Sequence, residues 1–224
     1  MSDDLKPHEE PAETKGPPSR FDGAAQTWDD KPARVELATA VAAAMSEAVP
    51  LQPEMQIMDF GCGTGLISRA LAPRVASITA ADTSTEMLMV LKTTARAAGL
   101  TRIRPFLLDA SYQTPPGTAY DAIVSSMVLH HIEDIPTLAA HFAQWCRPGG
   151  WVALADLAPE DGTFHHDAHA VFHHGIDPAE LAAQLETVGF TTESIQTVHT
   201  IQRPPAEGAD PRDYPVFLLV ARRT

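Results

Sequence analysis

Between residues 55 and 156 short apolar runs alternate with runs of helical spacing, and this alternation constrains the fold more than any other feature of the chain. Strand-like runs stand at residues 55–60, 75–81, 103–108, 120–126 and 151–156, with helical patterns at 66–71, 86–98 and 137–146. Strands joined by helix-sized crossovers pair in parallel, and a parallel sheet needs cover on both faces. A further helix is expected over residues 178–188. Two last strand-like runs, at 191–201 and 214–221, flank the turn-forming stretch RPPAEGADPRD and predict a terminal β-hairpin. The expected fold class is α/β, a seven-stranded, mostly parallel sheet with helices on both faces.

A chain of 224 residues suits one such domain plus a short extension. Residues 1–20 are rich in Pro, Glu, Asp and Lys and carry almost no large apolar side chains, so a disordered tail is expected there. An Ala-rich helical pattern at residues 33–49, stopped by Pro50, makes residues 21–50 an N-terminal helical cap. The main domain then occupies residues 51–224. With 16 basic against 29 acidic residues the net charge is −13, which repels polyanions and argues against a nucleic-acid partner. Neither an apolar run of membrane-spanning length nor a signal-peptide pattern is evident, so a soluble cytoplasmic protein without membrane association is expected. Cys62 and Cys146 are distant in sequence and form no CxxC pair, which favours two reduced core thiols over a disulfide or a thiolate metal site.

Chemistry concentrates first in IMDFGCGTGLISRAL, residues 57–71. An apolar strand reaches Asp59, passes through a turn containing Gly61, Cys62, Gly63 and Gly65, and enters a helix. Glycines permit a sharp turn and close approach of a ligand, and the helix start offers unpaired N–H groups. Gly-rich turns also occur for steric reasons alone. About 20 residues on, Asp82 ends the next strand, where nucleotide-binding α/β folds hold ribose hydroxyls. Asp109 ends the third. Three carboxylates at successive strand ends would face one crevice.

These residues resemble the class I, Rossmann-like S-adenosylmethionine-dependent methyltransferases, particularly the type similar to ubiquinone and menaquinone C-methyltransferases. The resemblance spans residues 21–190 and includes D-x-G-C-G-x-G from Asp59, the runs YDAIVSSMVLHHIED and WCRPGGWVALAD, and EDGTFHHD with GIDPAELAAQLETVGF. A nicotinamide-type G-x-G-x-x-G fits less well, because Leu66 follows Gly65. The resemblance implies that the glycine turn holds the methionine part of S-adenosylmethionine, which leaves as S-adenosylhomocysteine. It further implies Asp82 on the ribose, Thr83 and Met87 flanking adenine, Asp109 with Ala110 at its amino edge, and Ser125 and Ser126 under the sulfonium. Trp28 stands where relatives carry a Tyr in a cap over the cofactor; it equally reads as an aromatic anchor for the N-terminal helix.

Histidine is the most unusual usage. His130 and His131 follow the fourth strand, while His165, His166, His169, His173 and His174 crowd a segment expected to form a lid over residues 160–176. Were residues 165–173 helical, His165, His169 and His173 would share one face at metal-ligand spacing. The alternative, that the imidazoles are solvated or touch substrate, is preferred, and no metal ligand set is assigned. Imidazole suits proton transfer near neutral pH, so His131 and His174 are the candidate bases. His130, His165, His166, His173 and Asp156 are candidate substrate contacts, Asp156 equally a turn cap. Methyl transfer to a small-molecule acceptor is expected. The alternatives are a protein or RNA methyltransferase, or a non-catalytic module in which the His cluster binds a cation.

Overall fold

A computed structural model describes residues 19–108, 119–165, 171–203 and 211–224. The expected tail therefore lies outside the described residues except for Ser19 and Arg20. Asp109, Ala110, His166 and His169 lie outside them too.

A 3-10 turn (Asp22–Thr27) and helix α1 (Pro32–Ala48) precede the sheet. Pro32 opens α1 at a position where its missing N–H is not needed. The alternating core then reads β1 (Gln56–Phe60), α2 (Leu66–Leu71), β2 (Ser77–Asp82), α3 (Thr85–Ala97), β3 (Ile103–Leu107), β4 (Tyr120–Ser126), α4 (Ile135–Trp145) and β5 (Cys146–Leu157). Helix α5 (Pro178–Thr187) leads into β6 (Phe190–Arg203) and β7 (Arg212–Arg223). Side chains cap α3 and α5: Ser84 accepts from the Met87 N–H, and Asp177 from those of Ala179 and Glu180.

The seven strands form one sheet in the order β3-β2-β1-β4-β5-β7-β6. Pairings from β3 through β5 are parallel, whereas β7 runs antiparallel to both β5 and β6. Successive β1 residues fall on opposite faces. Ile57 packs with α1, α2 and α3, and Met58 with α4 and α5. Both faces are apolar, as expected for a parallel sheet buried between helix layers.

Two sequence expectations shift. Strand β5 starts at Cys146, not Trp151, because Cys146 already pairs with Tyr120 and the RPGG stretch is an irregularity before Trp151 pairs with Ala122. His165 and residues 171–175 are irregular, so no helix among the described residues carries His165 or His173; His169, the third member of the expected stripe, lies outside the described residues.

The strand order reverses direction at β1, whose neighbours β2 and β4 lead to opposite sides of the sheet. Ligands of open α/β sheets bind beyond the carboxyl ends of strands at such a switch point. In this chain the spot is flanked by the glycine turn after β1, Asp82 at the end of β2 and Ser126 at the end of β4.

Candidate active site

The three glycines of the turn have different duties. All have left-handed backbone, with φ of 69° at Gly61, 53° at Gly63 and 80° at Gly65. A Cβ at Gly61 would stand 2.4 Å from Val128 Cγ2, and one at Gly65 would stand 2.0 Å from Leu91 Cδ1. At Gly63 it would meet nothing within 4 Å. Gly61 and Gly65 thus let other elements close in, while Gly63 borders open space. Both Gly61 and Cys62 donate their N–H groups to the Ala81 carbonyl, which ties the turn to β2.

Asp82 sits opposite. Its Oδ2 accepts the Gly63 N–H at 2.8 Å and its Oδ1 accepts the Ser84 N–H at 2.8 Å. Burial pushes its carboxyl above the usual range, against these backbone donors, which pull it down. With Thr83 a third backbone donor, the carboxylate still keeps acceptor capacity. Thr83 beside it is exposed, and Met87 is buried in the first turn of α3.

Asp59 departs from the expectation of a carboxylate opening on the crevice. It is 1% exposed and accepts a 2.6 Å hydrogen bond from Ser68 Oγ of α2. Burial, with Asp82 adding repulsion, raises its carboxyl to about 7. It therefore supports the turn from beneath. The Cys62 thiol is buried and pushed far up by desolvation, so it is no nucleophile. Ser125 is likewise buried, donating to the Phe60 carbonyl at 2.9 Å, whereas Ser126 is partly open.

Beyond Ser126 the chain does something the sequence did not signal: Met127 adopts φ 61°, the one non-glycine residue with positive φ among those described. A side chain in the left-handed region costs about 1–2 kcal/mol. Its N–H is held by the Ala155 carbonyl at 2.9 Å. The strained residue brings Val128 against Gly61 and starts the short turn Leu129–His131.

That turn hangs on Asp156. Fully buried near the end of β5, Asp156 accepts the Leu129 N–H at 2.7 Å, the His130 N–H at 3.3 Å and the Leu157 N–H at 2.7 Å. Its Oδ1 also lies 2.5 Å from His130 Nδ1. Asp156 is therefore the anchor of the His130 turn rather than an open pocket group. The His131 ring packs against His130, with centroids 3.9 Å apart, and against Phe21 of the N-terminal segment at 5.3 Å. His165 joins them at 5.0 and 5.5 Å from His130 and His131.

His173 and His174 are not part of this group. His173 Nε2 lies 2.9 Å from the Ile132 carbonyl, and its N–H donates to the His130 carbonyl. His174 is 53% exposed, over Gly162 and 3.6 Å from Glu160.

The N-terminal segment folds down onto the glycine turn. Asp29 accepts from Thr64 Oγ1 at 2.6 Å and pairs with Arg69 Nη2 at 2.6 Å, while Asp22 accepts from Ser84 Oγ at 2.5 Å. These contacts, and Phe21, were missed in the sequence; the only available signal was the composition change near residue 21. Trp28 is held edge-on to Phe21 at 6.0 Å, with the Arg34 guanidinium 3.6 Å above its ring. Phe21 is the cap aromatic that touches His131.

A model of the methyltransferase domain family matches residues 33–195, which contain the glycine turn, Asp82 and the His130 turn. The chain belongs to the methyltransferase domain family. Its fold is that of the class I, Rossmann-like methyltransferases. An uncharacterized methyltransferase of Schizosaccharomyces pombe is 33% identical over 63% of this chain and 50% of its own length. The biotin biosynthesis bifunctional protein BioCD of Bordetella avium is 36% identical over 68% of this chain and 32% of its own. The matched chain thus spans half or less of these relatives. Among solved structures, an S-adenosylmethionine-dependent methyltransferase of Aquifex aeolicus superposes with a TM-score of 0.70 at 17% identity, covering 91% of this chain and 98% of that one. The Haloferax volcanii methyltransferase solved in complex with the Trm112 activator reaches 0.74 at 17% identity, over 93% and 99%. At these identities the structural likeness concerns the fold. No helix among the described residues is long and apolar enough to cross a membrane.

Proposed function

We propose that this domain transfers a methyl group from S-adenosylmethionine to a small-molecule acceptor enclosed between the N-terminal cap and the histidine segment. The observation that carries this reading is the pinning of the cap across the crevice, through Asp29 on Thr64 and Arg69 and Asp22 on Ser84. A crevice covered in this way suits an acceptor that enters whole rather than a polymer lying across it. The net charge of −13 also disfavours RNA.

The residues fit the cofactor. Open space above Gly63 admits it beside the turn, the remaining acceptor capacity of Asp82 suits a ribose hydroxyl, and exposed Thr83 borders the adenine position together with Met87. Ser126 closes the sulfonium side, with Ser125 bracing it through Phe60. When bound, S-adenosylmethionine supplies a methyl group already activated on a sulfonium. What remains for the protein is to align the acceptor, exclude water and accept a proton if the acceptor carries one. Phe21 and the cap exclude water. His131, beyond Ser126 and packed on Phe21, is the base in this reading; exposed His174 belongs to the rim.

Release of S-adenosylhomocysteine is the test, measured across a metabolite library with protein and RNA pools in parallel. Turnover on a metabolite supports the reading. Turnover confined to a macromolecule would overturn it and favour a partner-dependent enzyme.

A further inference from the structure

The adjacent His130 and His131, after β4, meet the distant His165, which follows β5. One ring nitrogen from each of His130, His131 and His165 lies within 4.8 Å of the others. His130 is 1% exposed, and His165 Nε2 is buried with no hydrogen-bond partner among the described residues. An orphaned nitrogen in such a place marks a missing partner.

Asp156 supplies the second half of the argument. By accepting from His130 Nδ1 at 2.5 Å it fixes the ring's orientation and leaves Nε2 to carry the lone pair. Metal-bound histidines are held by carboxylates in this manner. We propose that His130, His131 and His165 form a binding site for a divalent transition ion of the zinc type, oriented by Asp156. Three imidazole ligands leave a fourth tetrahedral position for water or an acceptor atom. Zinc–nitrogen bonds of about 2.0–2.1 Å place nitrogens about 3.4 Å apart. The widest pair therefore closes by roughly 1.4 Å from its 4.8 Å limit. His130 is held by Asp156, so the closure falls to His131 and His165.

This set is not the His165, His169 and His173 stripe considered from the sequence. It also competes with the base role of His131, since a nitrogen that ligates a metal cannot take a proton. The metal site itself does not depend on the methyl-transfer reading.

The test is calorimetric titration of the chelator-stripped, untagged full chain with Zn(II), and with Co(II) for its visible absorption. One ion per chain is expected, with four-coordinate cobalt bands. His131→Ala and His165→Ala should each weaken binding at least about tenfold, as should Asp156→Asn acting through His130. His199→Ala, on β6, should leave binding unchanged, and circular dichroism should be native in every variant scored. Absence of stoichiometric Zn(II) binding in the wild type, or unchanged affinity in His131→Ala and His165→Ala, overturns the site. Titration of the same samples with S-adenosylhomocysteine reports the cofactor reading separately, so either can fail alone.

Discussion

Asp156 Oδ1 and His130 Nδ1 lie 2.5 Å apart with both side chains buried, which couples the end of β5 to the turn after β4. The same carboxylate collects three backbone N–H groups. Removing this shared acceptor leaves several buried donors unsatisfied, at about 1–3 kcal/mol for each group, which over the turn comes to about 3–5 kcal/mol. Asp156→Ala should lower unfolding free energy by about that amount in urea titrations. A loss below about 1 kcal/mol would show that the turn is held elsewhere.

The glycine turn separates packing from ligand access. Gly63→Ala meets open space, so its stability cost should be only the left-handed penalty of about 1–2 kcal/mol. It should nevertheless abolish measurable S-adenosylhomocysteine binding by filling the approach. Gly65→Ala drives a methyl into Leu91 and should cost more stability than Gly63→Ala in the same melting experiment.

Asp82→Ala removes a carboxylate proposed to hold ribose hydroxyls. Hydrogen bonds to charged groups contribute about 1.5–3 kcal/mol, so affinity for S-adenosylhomocysteine should fall about 10- to 100-fold. Calorimetry showing unchanged affinity would remove Asp82 from the cofactor site.

Asp59 makes stability pH-dependent. Its folded carboxyl titrates at about 7 against an ordinary 3.8, so between those values the folded state binds the extra proton. Its contribution is present at low pH and is lost as pH rises through about 7. Asp59→Asn keeps an acceptor for Ser68 Oγ without the buried charge. The variant should be more stable than the wild type at pH 8, with a flatter profile between pH 4 and 8. A parallel profile would place the titration on another group.

Most element positions were legible in the sequence. The apolar runs at residues 55–60, 120–126 and 178–188 correspond to β1, β4 and α5 within one residue at each end, because local burial periodicity and flanking Pro or Gly specify them. The start of β5 was not, since RPGG reads as a turn but Cys146 before it already pairs with Tyr120 of β4. Site residues divided the same way. Asp82 stands where strand-end logic put it, whereas Asp59, one strand earlier, turns inward to Ser68, which no spacing rule signals. Trp28 was read either as a cap aromatic or as an anchor of the N-terminal helix; the contact of Phe21 with His131 was not read at all, since no local pattern links residue 21 to residue 131.

By itself the sequence determined the alternating α/β order, the glycine turn after the first strand and the acidic character of the chain. Each of these follows from local periodicity, backbone freedom or composition. Tertiary structure alone decided that β7 inserts between β5 and β6, that Gly63 is the open glycine, and that His130 and His131 meet His165 rather than His173 or His174. Those outcomes depend on which residues far apart in the chain are brought into contact by packing two helix layers on a twisted sheet. Local pattern carries no record of that.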